Sequence, residues 1–513
     1  IVLPSLLGGM SVKAFAKSEM LSGLLPGFYD TDHVLVLIYL AGGNDGLNTV
    51  VPVDQYSRLY NARPEVVIPE PTLLKLDGTD TIGLHPALGA FRKMYNDGQL
   101  RIMQSVGYPN PNYSHFRATD IWMSGSDENE IFHSGWAGRY LAYEYPNYPV
   151  DYPNDIMPDP LAIEIGWSGS LMFQGPIQNM GMTVSDPSWF YKLVDDSDDP
   201  TPDNKYGDQL KYVRLIKRQS QIYGETLKSA FEKVTFQGDY PDTDLANQLK
   251  VVSRLIAGGL KTRLYMVTLG GFDTHSNQVD ASNHTVGMHT ELLTQVNDAI
   301  SAFTKDLLIQ GTSKRVVGMT FSEFGRRIKS NASGGTDHGA AAPMFLFGEH
   351  VNGGVQGNNP IIPENVDVED NLQMETDFRS VYASLLNEWF CVEKEDIPTV
   401  LLKDKPLLPL IKDTNCNLVS IHEANASAGY SLFNCYPNPC KENLYIKYNS
   451  NGQPATVQIY DISGRVVHYA ALGKTDAGMQ VSPPVSVTDL NPGNYFIRLQ
   501  MGSVQQSRPF IKI

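Results

Sequence analysis

The stretch VLVLIYLAGGNDGLNTV (34–50) opens with eight apolar residues and then turns to two glycines, an asparagine and Asp45. An apolar run without alternation fits a strand covered on both faces better than one half-exposed to water. A carboxylate at the end of such a strand is costly to bury unless something compensates its charge. Asp45 therefore reads as a residue that holds something. Working outward, RIMQSV (101–106), LYMVTL (264–269), RVVGMTF (315–321) and PMFLF (343–347) repeat the pattern of short, continuously apolar runs. Helical patterns lie between them, over 208–234 and 289–308. The alternation predicts an α/β domain whose sheet is largely parallel and doubly wound.

After about residue 425 the pattern changes. ENLYIKYN, PATVQIYDISGRVVHYAAL, VSVTDL and GNYFIRLQ alternate apolar and polar residues between Gly, Pro and Asn turns. That pattern predicts a small all-β, Ig-like sandwich. The expected division is a remnant of an export signal at 1–16, an α/β domain at 17–424, a linker NASAG at 425–429 and the sandwich at 430–513. The signal reading rests on an apolar stretch ending in Ala14-Phe15-Ala16, the small-x-small pattern of a cleavage site. An ordinary buried N-terminal helix is the alternative.

The 513 residues carry a net charge of −16, which argues against nucleic-acid binding, since phosphate backbones need a basic face. It leaves phosphate and sulfate esters open, because bound cations neutralise acids locally. No later run reaches the ~18 apolar residues of a membrane span. The four cysteines, Cys391, Cys416, Cys435 and Cys440, match no zinc spacing. In an exported chain they read as disulfides, and proximity in sequence suggests Cys391–Cys416 and Cys435–Cys440, with other pairings open.

Ligands of doubly wound sheets bind at the carboxyl ends of strands, so the polar residues just after each run are the ones to collect. They are Asn44 and Asp45, then Ser114 and His115 at a helix start, then Asp273 and His275 in FDTHSNQ. Ser322, Glu323 and Arg326 follow the next run, and Asp337 and His338 precede the last. Singly each has a plain structural reading. Ser114 fits an N-cap, Asp45 a turn brace and Arg326 a partner for Glu323. Taken together, Asp45, Asp273, His275, Glu323, Asp337 and His338 predict a divalent metal site for zinc, manganese or calcium. His33 and His85 lack companions and read as structural.

The blocks LAGGNDGLNTVVP, SHFRATDIWMSG, GGFDTHSNQ, SEFGRR and GGTDHGAAAPMFLFG, in that order, resemble the bacterial domain-of-unknown-function 1501 proteins over residues 30 to 390. That family in turn looks like the alkaline phosphatase and sulfatase superfamily. The resemblance implies a sheet of that type, with Asp45, Asp273, His275 and His338 as metal ligands and Ser114 as nucleophile. Where the superfamily has Asp-His after a strand, this chain has Glu323-Phe324, so one histidine ligand is lost. Asp337 or His289 would have to compensate, or a single metal binds. No C/S-x-P-x-R pattern is present, and SDPSW (185–189) has Trp where the Arg should stand, which disfavours a formylglycine sulfatase.

The segments YPNPCKENLYIKY, VQIYDISGRVV and LNPGNYFIRL resemble the type A sorting domain of the type IX secretion system of Bacteroidetes. This implies the type IX machinery as a partner and a location at the cell surface or outside the cell. The function expected is hydrolysis of a small anionic ester or a sulfated or phosphorylated glycan, with Arg326 taking the non-bridging oxygens. The alternative is a non-catalytic surface or structural protein, or an anionic-glycan-binding protein, that retains the hydrolase fold.

Overall fold

The computed structural model describes residues 32–185, 205–412 and 431–512, apart from 146–147, 151, 155–156, 236–237, 437–439, 451, 462–464, 475, 477 and 502–503. The expected signal remnant, the linker and Cys416 lie outside the described residues.

Every residue of Val34–Leu40 is buried. The strand runs through the middle of a nine-stranded sheet, paired in parallel with Leu264–Leu269 on one side and Val316–Phe321 on the other. Ala162–Ile165 and Gly181–Val184 extend the sheet in parallel beyond Leu264–Leu269. On the other flank Ala342–Phe347 is antiparallel to both Val316–Phe321 and Leu100–Gly107. Gly354–Gln356 and Thr376–Asp377 then pair in parallel with Leu100–Gly107. All five predicted strands are present in one sheet, and it is largely parallel. Its two faces are sealed by separate apolar clusters. Leu35, Leu37 and Tyr39 face one, and Val34, Val36 and Ile38 face the other. This explains the unbroken apolar run. The helices Lys205–Lys233 and Met288–Ile309 match the predicted helical segments.

One topological detail positions the site. Because Ala342–Phe347 runs opposite to its neighbours, its amino end lies at the same edge as their carboxyl ends. Residues that precede it therefore meet residues that follow the parallel strands. They arrive on a hairpin the sequence did not suggest, Gly325–Ser330 against Thr336–Gly339, in which Arg326 is opposite His338. A three-stranded sheet of Val50–Pro52, Thr79–Leu84 and Leu74–Leu76 was likewise unforeseen.

The glycine pair after the first strand is a requirement of packing. Gly42 and Gly43 have φ of 123° and 85°, a region L side chains rarely occupy. A Cβ at Gly42 would stand 2.4 Å from the Asp273 amide nitrogen, and one at Gly43 2.4 Å from the Phe324 ring. The turn is bare so that the loop after Leu264–Leu269 can lie directly on it.

The C-terminal region forms two four-stranded antiparallel sheets around its own apolar core, including Leu444, Ile446, Val457, Ile459, Ile497 and Phe510. This is the expected sandwich. The Cys435–Cys440 bridge is corrected: the two are buried and form no disulfide with each other. Cys435 is held opposite Ile446 in one strand pair, while Cys440 bridges to Lys512 and donates its amide to Ile511. Different strands fix the two backbones, and both side chains fill the core.

Candidate metal centre

Strand ends are stitched together first by backbone-directed polar groups. Ser322 donates its hydroxyl to the Leu40 carbonyl at 2.6 Å and accepts from the Asn44 amide at 3.0 Å. Glu323, 1% exposed, accepts from the Gly42 amide at 2.8 Å. These bonds fix the ends of Val34–Leu40 and Val316–Phe321 as one platform.

On it, three imidazoles and one carboxylate converge. His338 Nε2 and His275 Nε2 are 2.9 Å apart, and each is 3.1 Å from Asp273 Oδ1. His115 Nε2 approaches Asp273 Oδ2 at 3.4 Å. Ligand atoms of His115, Asp273 and His338 all lie within 4.8 Å of one another, a spacing a metal ion can bridge. Each ring is also held from behind. His115 Nδ1 bonds Glu323 Oε1 at 2.8 Å, His275 Nδ1 bonds Asp337 Oδ1 at 3.0 Å, and His338 Nδ1 bonds the Tyr113 carbonyl at 2.8 Å. Each partner is an oxygen that accepts, which puts the ring proton on Nδ1 and leaves a lone pair on Nε2. This is the outer-shell pattern of metal-ligating histidines.

Electrostatics favour ionised acids here. Burial would raise the Asp273 carboxyl, but the Arg326 guanidinium bonded to it holds it down to about 2. For Asp337, bonds from Asn331 and His275 likewise outweigh burial and lower it. Burial holds His338 below its ordinary value, against the Tyr113 carbonyl and Asp273.

The predicted residues do not all join this cluster. Asp273, His275 and His338 form it, with Glu323 and Asp337 bracing its rings. Asp45 stands apart, wholly buried. Arg63 Nη1 reaches both its oxygens at 2.9 and 2.7 Å, and Gln278 Nε2 donates to Oδ2 at 2.6 Å. Burial alone would raise its pKa, yet Arg63 and its neighbours lower it. What Asp45 holds in this structure is a guanidinium. Arg326, 1% exposed, is also committed: Nε to the Gly43 carbonyl, Nη1 to Thr336, and Nη2 to Gly42, Phe272 and Asp273. Its fork is turned inward, which corrects the expectation that it grips ester oxygens.

Ser114 is exposed and stands at the N-cap of the helix His115–Ser124, as one reading expected, but its side chain makes no cap bond. His289 bonds Asn44 Oδ1 through Nε2 at 2.9 Å and is not a member of the cluster. His33 stacks on Trp389, and His85 is buried, both in structural settings.

Sequence reasoning collected His115 but assigned it no role, and it missed Arg63 and Gln278. His115 had a signal, a histidine on the first turn of a helix after a strand. Arg63 had none, because it reaches Asp45 from the C-cap of another helix, Tyr56–Ala62.

Comparison with known proteins agrees with the two-part reading. Residues 223–397 match the family model described as Protein of unknown function (DUF1501), and residues 434–513 match the Secretion system C-terminal sorting domain. Among curated proteins no relative matches the chain. Among solved structures, one described with the metabolism of multiple glycosaminoglycans by Bacteroides thetaiotaomicron is 10% identical. That match covers 93% of this chain and 89% of that one, with a TM-score of 0.36. A protein in the alkaline phosphatase superfamily from Vibrio parahaemolyticus is 10% identical over 86% and 82% of the two chains, TM-score 0.31. The PsFucS1 sulfatase from Pseudoalteromonas sp. is 10% identical over 87% and 83%, TM-score 0.32. At these scores the likeness bears on no activity. The sorting domain indicates type IX secretion to the cell surface or exterior, and among the described residues no helix is long and apolar enough to cross a membrane. The chain thus joins a region that matches the DUF1501 family model to one that matches a C-terminal secretion sorting domain.

Proposed function

We propose that this exported protein is a metal-dependent hydrolase of phosphate or sulfate esters, with its centre on His115, Asp273, His275 and His338. The observation that carries the reading is the convergence of three Nε2 atoms on one carboxylate, with every Nδ1 already bonded. Two imidazole lone pairs 2.9 Å apart repel unless a cation is shared between them. Three imidazoles and a carboxylate suit zinc or manganese, whereas calcium prefers an all-oxygen shell.

When bound, such an ion polarises an ester oxygen and lowers the pKa of a nearby hydroxyl or water. The chain's own residues supply the rest. Ser114 is the nucleophile in this reading. It lies between Tyr113, whose carbonyl holds His338, and His115, and its hydroxyl is not spent on a cap. The free amides of the helix's first turn, beside Ser114, suit an anionic group. Glu323 and Asp337 orient rings, and Arg326 fixes Asp273. The substrate class is a small anionic ester or a sulfated or phosphorylated glycan.

The inward commitment of Arg326 favours a second reading, an anionic-glycan-binding protein that holds a metal without turnover. The test is metal analysis of the full chain with turnover of aryl phosphates and aryl sulfates, before and after chelation and for His338→Ala. The hydrolase reading expects bound metal and turnover lost together on chelation and in the variant. Metal without turnover supports the binding reading, and a native protein that takes up no metal removes both.

A further inference from the structure

We infer that the centre takes one metal ion per chain, and that Arg63 occupies, as a permanent internal cation, the place a second ion would need. This rests on the proposed metal centre and goes beyond it by fixing its stoichiometry.

The acids at the strand ends fall into two groups. Asp273, Glu323 and Asp337 touch the imidazole cluster. Asp45 does not, and no lone pair of its carboxylate is open to solvent: it is 0% exposed, with both oxygens on Arg63 and one also on Gln278. Gln278 is locked in that orientation, because its Oε1 accepts from Thr336 at 2.7 Å and Thr274 at 3.1 Å. Arg63 is locked too, donating Nε to the Ile328 carbonyl at 2.8 Å and Nη2 to the Arg327 carbonyl. For Asp45 to ligate a metal, a wholly buried guanidinium would have to leave.

Space is closed as well as charge. Phe324, 1% exposed, lies with its ring 4.9 Å from that of His115 and 4.3 Å from that of His338. It also packs where Gly43 has no side chain. The neighbouring His289 has an unpartnered Nδ1, but with Asp45 committed it has no free carboxylate to share a divalent ion with.

Charge balance gives the same count. Asp273, Glu323 and Asp337 bring three negative charges, and Arg326, bonded to Asp273, brings one positive. One divalent ion brings that sum to zero, and Asp45 with Arg63 is already neutral. A second divalent ion would leave a surplus of two positive charges that no further carboxylate of the cluster offsets.

The experiment is elemental analysis and calorimetric titration of the chelator-stripped full chain with Zn²⁺, Mn²⁺ and Ca²⁺ in turn. One equivalent is expected, retained in Asp45→Asn and lost in His338→Ala. Two equivalents in the wild type, falling to one in Asp45→Asn, would overturn the inference while leaving the metal-centre reading intact. No uptake of any of the three ions would overturn both. The wild-type stoichiometry decides the matter even if Asp45→Asn fails to fold.

Discussion

Glu323 offers the sharpest test of how the centre is built. Its carboxylate accepts from His115 Nδ1 and the Gly42 amide, both at 2.8 Å, in a position 1% exposed. Glutamine has nearly the same shape. Its carbonyl oxygen can keep both bonds, and its amide nitrogen would fall where Oε2 now meets Ser322 at 3.3 Å. Glu323→Gln therefore removes charge from the bond behind His115 while leaving the fold largely untouched. Loss of such an outer-shell partner lowers metal affinity roughly 10–100-fold, about 1.4–2.7 kcal/mol. Asp337→Asn makes the same change behind His275, but that carboxylate is 39% exposed and water screens it, so its effect should be the smaller. The assay is competition for zinc against a chromophoric chelator at one fixed neutral pH, with circular dichroism to check the fold. An unchanged dissociation constant in folded Glu323→Gln, or a larger loss in Asp337→Asn, would refute the reasoning.

Three further outcomes follow from the same geometry. Arg63→Met strands the wholly buried Asp45 carboxylate and should lose about 3–5 kcal/mol in equilibrium denaturation, much of it recovered in Asp45→Leu/Arg63→Met. Burial lowers the pKa of His289 to about 4 and that of His85 to about 3, so both are neutral in the fold while the unfolded chain protonates them below about 6.5. The unfolded state then binds more protons, so stability is full above that pH. It falls toward pH ~4 by up to about 1.4 kcal/mol per unit per group, and His289→Gln should flatten the denaturation profile. Residues 17–424 expressed without the tail should keep metal binding and any turnover of aryl esters but fail to be exported; loss of metal from a folded truncated chain would show that the tail completes the centre.

The sequence by itself determined the layers and picked out several of the side chains that converge at the strand ends. Continuous apolar runs such as 34–41 and 264–269 mark strands buried on both faces, because a strand with one wet face alternates. Collecting the polar residues at strand ends picked out Asp273, His275 and His338, which the fold brings together, and the turn-rich alternation after residue 425 marked a separate sandwich. What the sequence left open was how charges pair across distance. Asp45 looked like a ligand because a buried acid needs a cation, and that requirement is satisfied, but by Arg63 from another helix. Arg326 looked like a substrate fork until the hairpin turned it onto backbone carbonyls. Nor could spacing show that Cys435 and Cys440, six residues inclusive, are held by different strands and form no bridge with each other. Local pattern reports which side chains must be buried or compensated, whereas the identity of the partner depends on contacts between segments hundreds of residues apart, which only the folded chain creates.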